Sequence, residues 1–578
     1  MELKIVLHDA ENKHWLSFEN PIEILQADKI QNVLQQLETV QNRVEQEKLY
    51  AAGFVSYEAA SAFDPALKTY PPDNFPLIWF GIYHEPEVIK IPESQDQISQ
   101  LNWQPQISEE NYISILDEIK NQLRDGNTYQ VNFTFPLRSK FNGDPWAYFL
   151  KLIHNHQTDY GAYLELDNYA IASFSPEQFF ILDGNQICSS PMKGTRARGR
   201  YLAEDIQIKN ELFHSAKDRA ENIMIVDMIR NDLSRIADYG TVKVEEKFKI
   251  EKYSTVWQMI SKVTARTNAT IPEIFKALFP CASITGAPKV NTMKIINSLE
   301  KSPRRIYTGC IGFISPGRKA QFNVAIRTVL IDKNKKKAEY GVGGGIVWDS
   351  IKEKEYDECF IKARTLMNNQ PVFQLLESIL WSKEEGFFIL DYHLKRMRDS
   401  AAYFNYKFER DKICKALNLM VQSLENGSFK IRLLLNQDGS IEIQSNKLNM
   451  ETYSRPLKVC LAKNPVNSDN IFLFHKTTYR DVYDQIKNEC PDCDELLLYN
   501  ERDEITEFTN ANVLVKIEGQ FYTPPVTSGL LGGTFRQYLL DQKKIKEKII
   551  TKEMLNQSEE IVLINSVRKY HPVRLMAD

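Results

Sequence analysis

Apolar and polar residues alternate over GFVSYEAA (53–60), PLIWFGIYHE (76–85) and YGAYLELDNYAIASFS (160–175), a period of two that predicts strands. Over 107–132, ISEENYISILDEIKNQLRDGNTYQVN, the period becomes helical, with Ser108 placed to cap the start and Gly126 to stop the helix. A long helix is expected from about Asp205 to Tyr239, then a strand at TVKVEEKFKIEKY, a helix near 272–279, and strands at IGFIS, NVAIRTVLI and AEYGVGGGIV. Long helices among strands of antiparallel character predict an α+β sandwich rather than a strict βαβ winding. The helix from Glu353 runs out near Asn368, where MNNQPVF brings polar residues and a proline and marks a junction near residue 370. Beyond it the pattern starts afresh: a ladder (FQLLESILW, GFFILD), a helix (DYHLKRMRDSAAYFN) and strands at FKIRLLL and SIEIQS, with no internal repeat.

Composition narrows the class. A chain of 578 residues with 43% hydrophobic and 26% charged residues is globular and long enough for two large domains or three small ones. The 72 Lys+Arg against 76 Asp+Glu leave a net charge of -4, so no electrostatic excess points to nucleic acid or a membrane surface, and small molecules become the expected partners. Eight scattered cysteines predict no disulfide framework and fit a reducing cytoplasm. The opening MELKIVLHDAENKHW has no signal-peptide character and no apolar run has the length of a membrane span, so a cytoplasmic location is expected.

Three features of the first part carry chemistry. In PMKGTRARGR (191–200), Lys193 sits in a constrained turn and would be a nucleophile if desolvation lowered its pKa; an exposed turn lysine is the plain alternative. Asp218 and Glu221 share a helix face, and Glu355 and Glu358 repeat that spacing. Carboxylates shown from two helices suit Mg2+, although each pair alone is more often a solvated face. Gly343-Gly344-Gly345 after a strand, with Ser283, Thr285 and Gly286 in CASITGAPK, offer loops whose N–H groups could hold a carboxylate. No phosphate-loop or dinucleotide fingerprint is present.

These motifs, with FSPEQFF, KDRAENIMIVDMIRNDLSRIADYGTVKV, IGFISP, FNVAIRT and EYDECFIKA, stand in the order seen in chorismate-utilising enzymes, and the chain resembles that family over most of 50–365. The resemblance implies a β-sandwich with flanking helices, with 1–105 as its N-terminal part and 106–368 as its chorismate-binding catalytic part. It implies Mg2+ held by Glu221 and Glu358 with Glu355 beside them, and substrate carboxylates bound by Arg327, Lys362, Thr285 and the Gly343, Gly344, Gly345 run. Lys193 is similar to the lysine of the aminodeoxychorismate synthase branch, implied to attack C2 of chorismate and expel the C4 hydroxyl before ammonia enters at C4. Glu177 matches the general acid/base and Thr195 a nearby hydrogen-bonding residue. Gln258 replaces a histidine that anthranilate synthases link to pyruvate elimination, which argues for stopping at the aminated product. No cysteine lies in a glutaminase-like elbow, so the resemblance implies free ammonia or a separate glutamine amidotransferase subunit.

In the last 208 residues, a lysine in FLFHKTTYRDVYD, a glutamate in DELLLYNERDEITEFTNANVLV and the TSGLLGGTFRQYLL loop could together form a pyridoxal phosphate site. Together they resemble fold-type IV pyridoxal phosphate enzymes, which implies an α+β domain over 372–578. On that match Lys476 is the Schiff-base lysine, Glu507 the ring-nitrogen partner, and Arg396, Thr534, Phe535 and Ser566 the phosphate contacts. The first hairpin is short or absent, with Glu377-Ser378 entered directly from the linker. The combined expectation is amination of chorismate followed by release of pyruvate to give 4-aminobenzoate, in a chain that pairs through its C-terminal half as such relatives tend to. An anthranilate- or isochorismate-type enzyme, and a non-catalytic or transaminase-like C-terminal domain, are the rivals.

Other features read more plainly. Cys490-Pro-Asp-Cys493 lacks a second pair and reads as a loop, DQKKIKEKIITKEM (541–554) as a solvated helix face, and His154 and His156 as a surface pair.

Overall fold

The computed structural model describes residues 4–92, 101–156, 158–366, 371–449, 455–488 and 493–576. It divides into two compact units, residues 1–197 with 209–369, and residues 198–208 with 370–578. Among the described residues no helix is long and apolar enough to cross a membrane.

In the first unit the alternating segments build two ten-stranded antiparallel sheets. One runs from Gly286–Ala287 through Gln130–Lys140, Lys337–Ile346 and Thr328–Asp332 to the N-terminal hairpin; the other runs from Met192–Ala197 through Val256–Arg266 to Tyr50–Val55 and Glu23–Ala27. N-terminal strands thus enter both sheets. The inward faces meet in a core of Ile5, Phe18, Phe54, Leu164 and Ile311. The outer faces are covered by helices: Val33–Glu47, Ala216–Ser234 and Ile271–Leu278 on one side, Glu109–Arg124, Pro145–Asn155 and Lys352–Ala363 on the other. This is the expected α+β sandwich with flanking helices.

One local expectation holds and several others need correction. The helix at 109–124 is capped by Ser108, whose side chain accepts from Asn111 N, and Gly126 follows with φ 73°. The long helix over 205–239 is two, Leu202–His214 and Ala216–Ser234, because Ser215 leaves helical geometry and caps the second through Asp218 N. NVAIRTVLI breaks at Arg327, whose φ of 48° ends one strand and starts the next. Gly343, Gly344 and Gly345 are not in a loop: they lie within strand Lys337–Ile346, opposite Thr134, Phe133 and Asn132. His156 is buried against Phe174 rather than exposed. The 541–554 run is a turn, a two-residue strand and the short helix Lys552–Asn556, not one helix.

A buried ion pair fastens the sandwich near its glycine strand. Glu300 and Arg304 meet at 2.6 Å, Glu300 also accepts from Thr134, and Arg304 donates to the carbonyls of Asn132 and Ile284. Removing one member strands a buried charge. Arg304→Ala should therefore lower the unfolding free energy of this unit by about 3–5 kcal/mol, read from urea unfolding curves.

The second unit has a four-stranded antiparallel sheet, in which strand Leu375–Ser382 forms the short first hairpin with Gly386–Phe387, backed by helices Leu390–Phe404 and Arg410–Val421. It also has an eight-stranded mixed sheet, in which Ile505–Phe508 pairs with both Glu495–Tyr499 and Ala511–Ile517 and so closes six strands into a ring. Contrary to expectation there is a disulfide, Cys460 to Cys493, with Cα atoms 6.1 Å apart. Sequence spacing hides it, since the neighbouring parallel strands bring together residues 33 apart. Cys490 and the junction residues 367–370 lie outside the described residues.

Candidate functional site

Lys193 projects from strand Met192–Ala197, which pairs with Val256–Arg266 through a register shift. Gly194 follows at φ 98°, and a Cβ there would stand 3.1 Å from Asp218 and 3.2 Å from Met259, so glycine is required at this turn. The Lys193 carbonyl accepts from Asn222, whose own oxygen accepts from Ser261. Its ammonium lies over Gly345: a Cβ on that glycine would be 2.5 Å from Lys193 Nζ and 2.6 Å from Gln130 Nε2. Desolvation lowers the Lys193 pKa and Lys362 pushes the same way, against the pull of Glu221, Glu358 and Glu177. The result is an amine biased towards its neutral, nucleophilic form.

The remaining residues surround this point. Glu177 is buried, accepts from Ser283 Oγ at 2.6 Å, and is pushed by burial up to about 7, a value suited to proton transfer at neutral pH. Thr195 donates to Gln258 Oε1 at 2.9 Å, its cross-strand partner. A Cβ on Gly344 would stand 3.3 Å from Glu355 and 3.8 Å from Lys362 Nζ, and Lys362 donates to Gly343 O at 2.9 Å. The glycine run therefore serves by lacking side chains, which lets these charged groups reach the strand. Burial and the neighbouring Glu358 raise the Glu355 pKa. Glu358 itself falls below its ordinary value despite burial because Lys362 pairs with it at 2.8 Å.

Other expected residues are placed as follows. Arg327 is desolvated, which lowers its pKa, and the groups acting on it are Tyr340 and Tyr253. Thr285 turns its hydroxyl to the carbonyls of Cys281 and Ala282. Asp218 is engaged by Arg196 at 2.6 Å. No three His, Cys, Asp or Glu side chains are gathered as a metal site among the described residues. The carboxylates of Glu221, Glu358 and Glu177 act on the Lys193 ammonium, and Mg2+ takes few protein carboxylates and leaves places for substrate and water.

Gln130 was missed in the sequence. It is fully buried, yet neither its carboxamide oxygen nor its nitrogen has a hydrogen-bond partner, a costly state unless a ligand completes it. Nothing in YQVN marks it, because its meaning comes from strand pairing. Gly345→Ala should lower turnover at this site about a hundredfold by displacing Lys193 and Gln130, with the thermal midpoint little changed; steady-state rates alongside a melting curve check this.

In the second unit, Lys476, Glu507, Arg396, Thr534, Phe535 and Ser566 all line one cavity of about 470 Å³. Lys476 follows the short turn Ile471–Leu473, and its carbonyl accepts from Leu376 N at 2.9 Å. Desolvation, then Arg396, lowers its pKa to about 8. Glu507, on strand Ile505–Phe508, accepts from Tyr483 Oη at 2.8 Å and is pushed by burial up to about 8. Gly533 caps helix Thr534–Asp541, and a Cβ there would be 1.8 Å from Asn512 Oδ1, so this helix start needs glycine. Arg396 holds Glu377 with two nitrogens and donates to Gly532 O with a third. Ser566 Oγ donates to Ser378 O at 3.2 Å. A desolvated lysine, a buried carboxyl that gains by meeting a cationic ring nitrogen, and a glycine-led helix start fit pyridoxal phosphate.

Comparison with known proteins agrees with both halves. Residues 3–368 match the family model of the chorismate binding enzymes, and residues 374–576 that of the class IV amino-transferases, a domain that implies pyridoxal phosphate. Aminodeoxychorismate synthase component 1 of Escherichia coli K12 is 38% identical over 268 residues, 46% of this chain and 59% of its own length. Anthranilate synthase component 1 of Methanothermobacter thermautotrophicus is 31% identical over 346 residues, 55% of this chain and 73% of its own. The crystal structure of anthranilate synthase component I from Streptococcus pneumoniae TIGR4 shares the fold, with a TM-score of 0.54 at 22% identity, covering 63% of this chain and 92% of that one. The chain thus spans about three-fifths of the first curated relatives it matches, 59%. Since the first family model covers well over half of the chain, the protein belongs to the chorismate binding enzyme family, continued by a class IV amino-transferase domain.

Proposed function

We propose that the first unit aminates chorismate to 4-amino-4-deoxychorismate and that the second splits this product to 4-aminobenzoate and pyruvate. The observation that supports the first step most strongly is the Lys193 amine, desolvated above Gly345 with Glu177 among its neighbours. Lys193 Nζ attacks C2, the ring double bond shifts, and the C4 hydroxyl leaves as water with a proton from Glu177. Ammonia then adds at C4 and the C2–Nζ bond breaks, so that chorismate and ammonia give the amine and water. Gln130, with both carboxamide atoms unpaired beside Nζ, can hold the incoming ammonia. Arg327 and Lys362 bind substrate carboxylates. Glu221, Glu358 and Glu355 would hold Mg2+, which supplies charge neutralisation for the ring carboxylate. A glutamine amidotransferase subunit, or free ammonia, provides the nitrogen.

Thr195 and Gln258 occupy each other, and neither relays a proton at neutral pH, which favours retention of the enolpyruvyl group over its elimination to anthranilate. Incubation with chorismate, Mg2+ and ammonium, followed by product identification, tests this: anthranilate as the main product overturns the reading.

In the second unit, pyridoxal phosphate when bound supplies an electron sink. Glu507 would meet its ring nitrogen, the 533–535 helix start and Arg396 would hold its phosphate, and Lys476 Nζ would carry protons at the amino carbon. The amine must be neutral to take up the cofactor. With its pKa lowered from 10.5 to about 8, Lys476 is protonated below that pH and free above it, so cofactor capture by apo protein should rise through about pH 8. A midpoint near 10.5 in a stopped-flow pH series would contradict this.

A further inference from the structure

We propose that residues 198–205 are part of the second unit's lysine site, acting through His475 to position Lys476. This rests on Lys476 being the cofactor lysine.

His475 directly precedes Lys476 and is buried, with the rings of Tyr403 and Phe404 at 4.5 and 4.6 Å. Its Nδ1 meets Ser400 Oγ at 2.9 Å and its Nε2 meets the Arg200 carbonyl at 3.1 Å. A carbonyl can only accept, so Nε2 carries the hydrogen and Nδ1 accepts from Ser400, which fixes one neutral tautomer. Burial keeps the ring neutral, with its pKa pushed down to about 3. Lys476 is thereby held from two sides: its carbonyl by Leu376, and the preceding side chain by Arg200.

The segment that offers this carbonyl is itself firmly fastened. Arg198 and Asp205 form a buried pair at 2.7 Å, and Asp205 also accepts from Gly199 N. Arg198 donates to Tyr403 O, and Tyr403 Oη donates to Gly199 O at 2.6 Å. Arg200 reaches the carbonyl of Ser468 at 3.3 Å, and Tyr201 stacks on Phe474 at 5.4 Å. These contacts converge on the turn leading into Lys476 and on Tyr403, which packs against His475. None of the segment lines the cofactor cavity, so its part is positioning rather than catalysis. Sequence order conceals the arrangement, since these residues follow immediately on the strand that carries Lys193.

The test is cofactor titration of the full-length apo chain. Tyr403→Phe removes one hydrogen bond to the segment. Gly199→Ala places a Cβ 2.4 Å from Asp205 N and 2.7 Å from its Cα, which forces the turn to shift. Each should weaken pyridoxal phosphate binding about tenfold and move the pH midpoint of cofactor capture by the apo chain upward from about 8 as the amine becomes better hydrated. A purely stabilising role would lower the melting point and leave that midpoint in place. Unchanged affinity and midpoint in folded variants, with wild type binding normally, overturn the inference alone; wild type that captures no cofactor overturns the site reading and the inference with it. Should Gly199→Ala not fold, Tyr403→Phe decides.

Discussion

Lys193→Ala should abolish ammonia-dependent consumption of chorismate, with kcat falling about 10³-fold or more. The expectation follows from the environment of the amine. Its carbonyl is tied by Asn222, the next residue is a glycine that could not be replaced without meeting Asp218 or Met259, and the amine crosses to Gly345 where no side chain stands in its way. Such placement is needless for a lysine that only lends positive charge. Lys193→Arg separates the two roles, because a guanidinium retains the charge yet never becomes neutral at accessible pH. Both variants should be equally inactive, while retaining the folded content of the parent by circular dichroism. Appreciable amination by Lys193→Arg would make the residue an electrostatic anchor and shift the covalent step elsewhere.

Lys476→Ala should leave amination intact and remove 4-aminobenzoate formation, so that the aminated intermediate accumulates in the chorismate assay. The lysine faces the cavity that Glu507 and Arg396 also line, and burial there lowers its pKa from 10.5 to about 8. Residues around a non-catalytic scaffold gain nothing from desolvating a lysine and raising a carboxyl to about 8 in one cavity. The loss should be at least about 10³-fold in pyruvate release, followed by a coupled assay, and the visible band of the lysine-bound cofactor should vanish with it. Undiminished 4-aminobenzoate formation would mean that the second unit is not the lyase.

The alternating strands, the Ser108 cap and the helix at Ile271–Leu278 were legible because each depends on local period or capping chemistry. The lysine, glutamate and glycine motifs were legible as residues, although not in their geometry. A glycine run reads as a loop in sequence, and only the pairing of Lys337–Ile346 with Gln130–Lys140 reveals it as bare strand beneath charged side chains. The same pairing brings Gln130 to Lys193. Residues 205–208 read as the start of a long helix of the first domain, following the PMKGTRARGR loop, whereas Ser215 interrupts that helix and residues 198–208 belong to the second unit. The Cys460–Cys493 bond likewise depends on two strands becoming neighbours, which no spacing rule encodes.

The most direct test of the two-step reading is the unmodified full-length chain with chorismate, Mg2+, ammonium and pyridoxal phosphate, with products separated over time. The account predicts 4-aminobenzoate and pyruvate in equal amounts, with the aminated intermediate transient. Anthranilate, or the aminated intermediate as a stable end product, would contradict it.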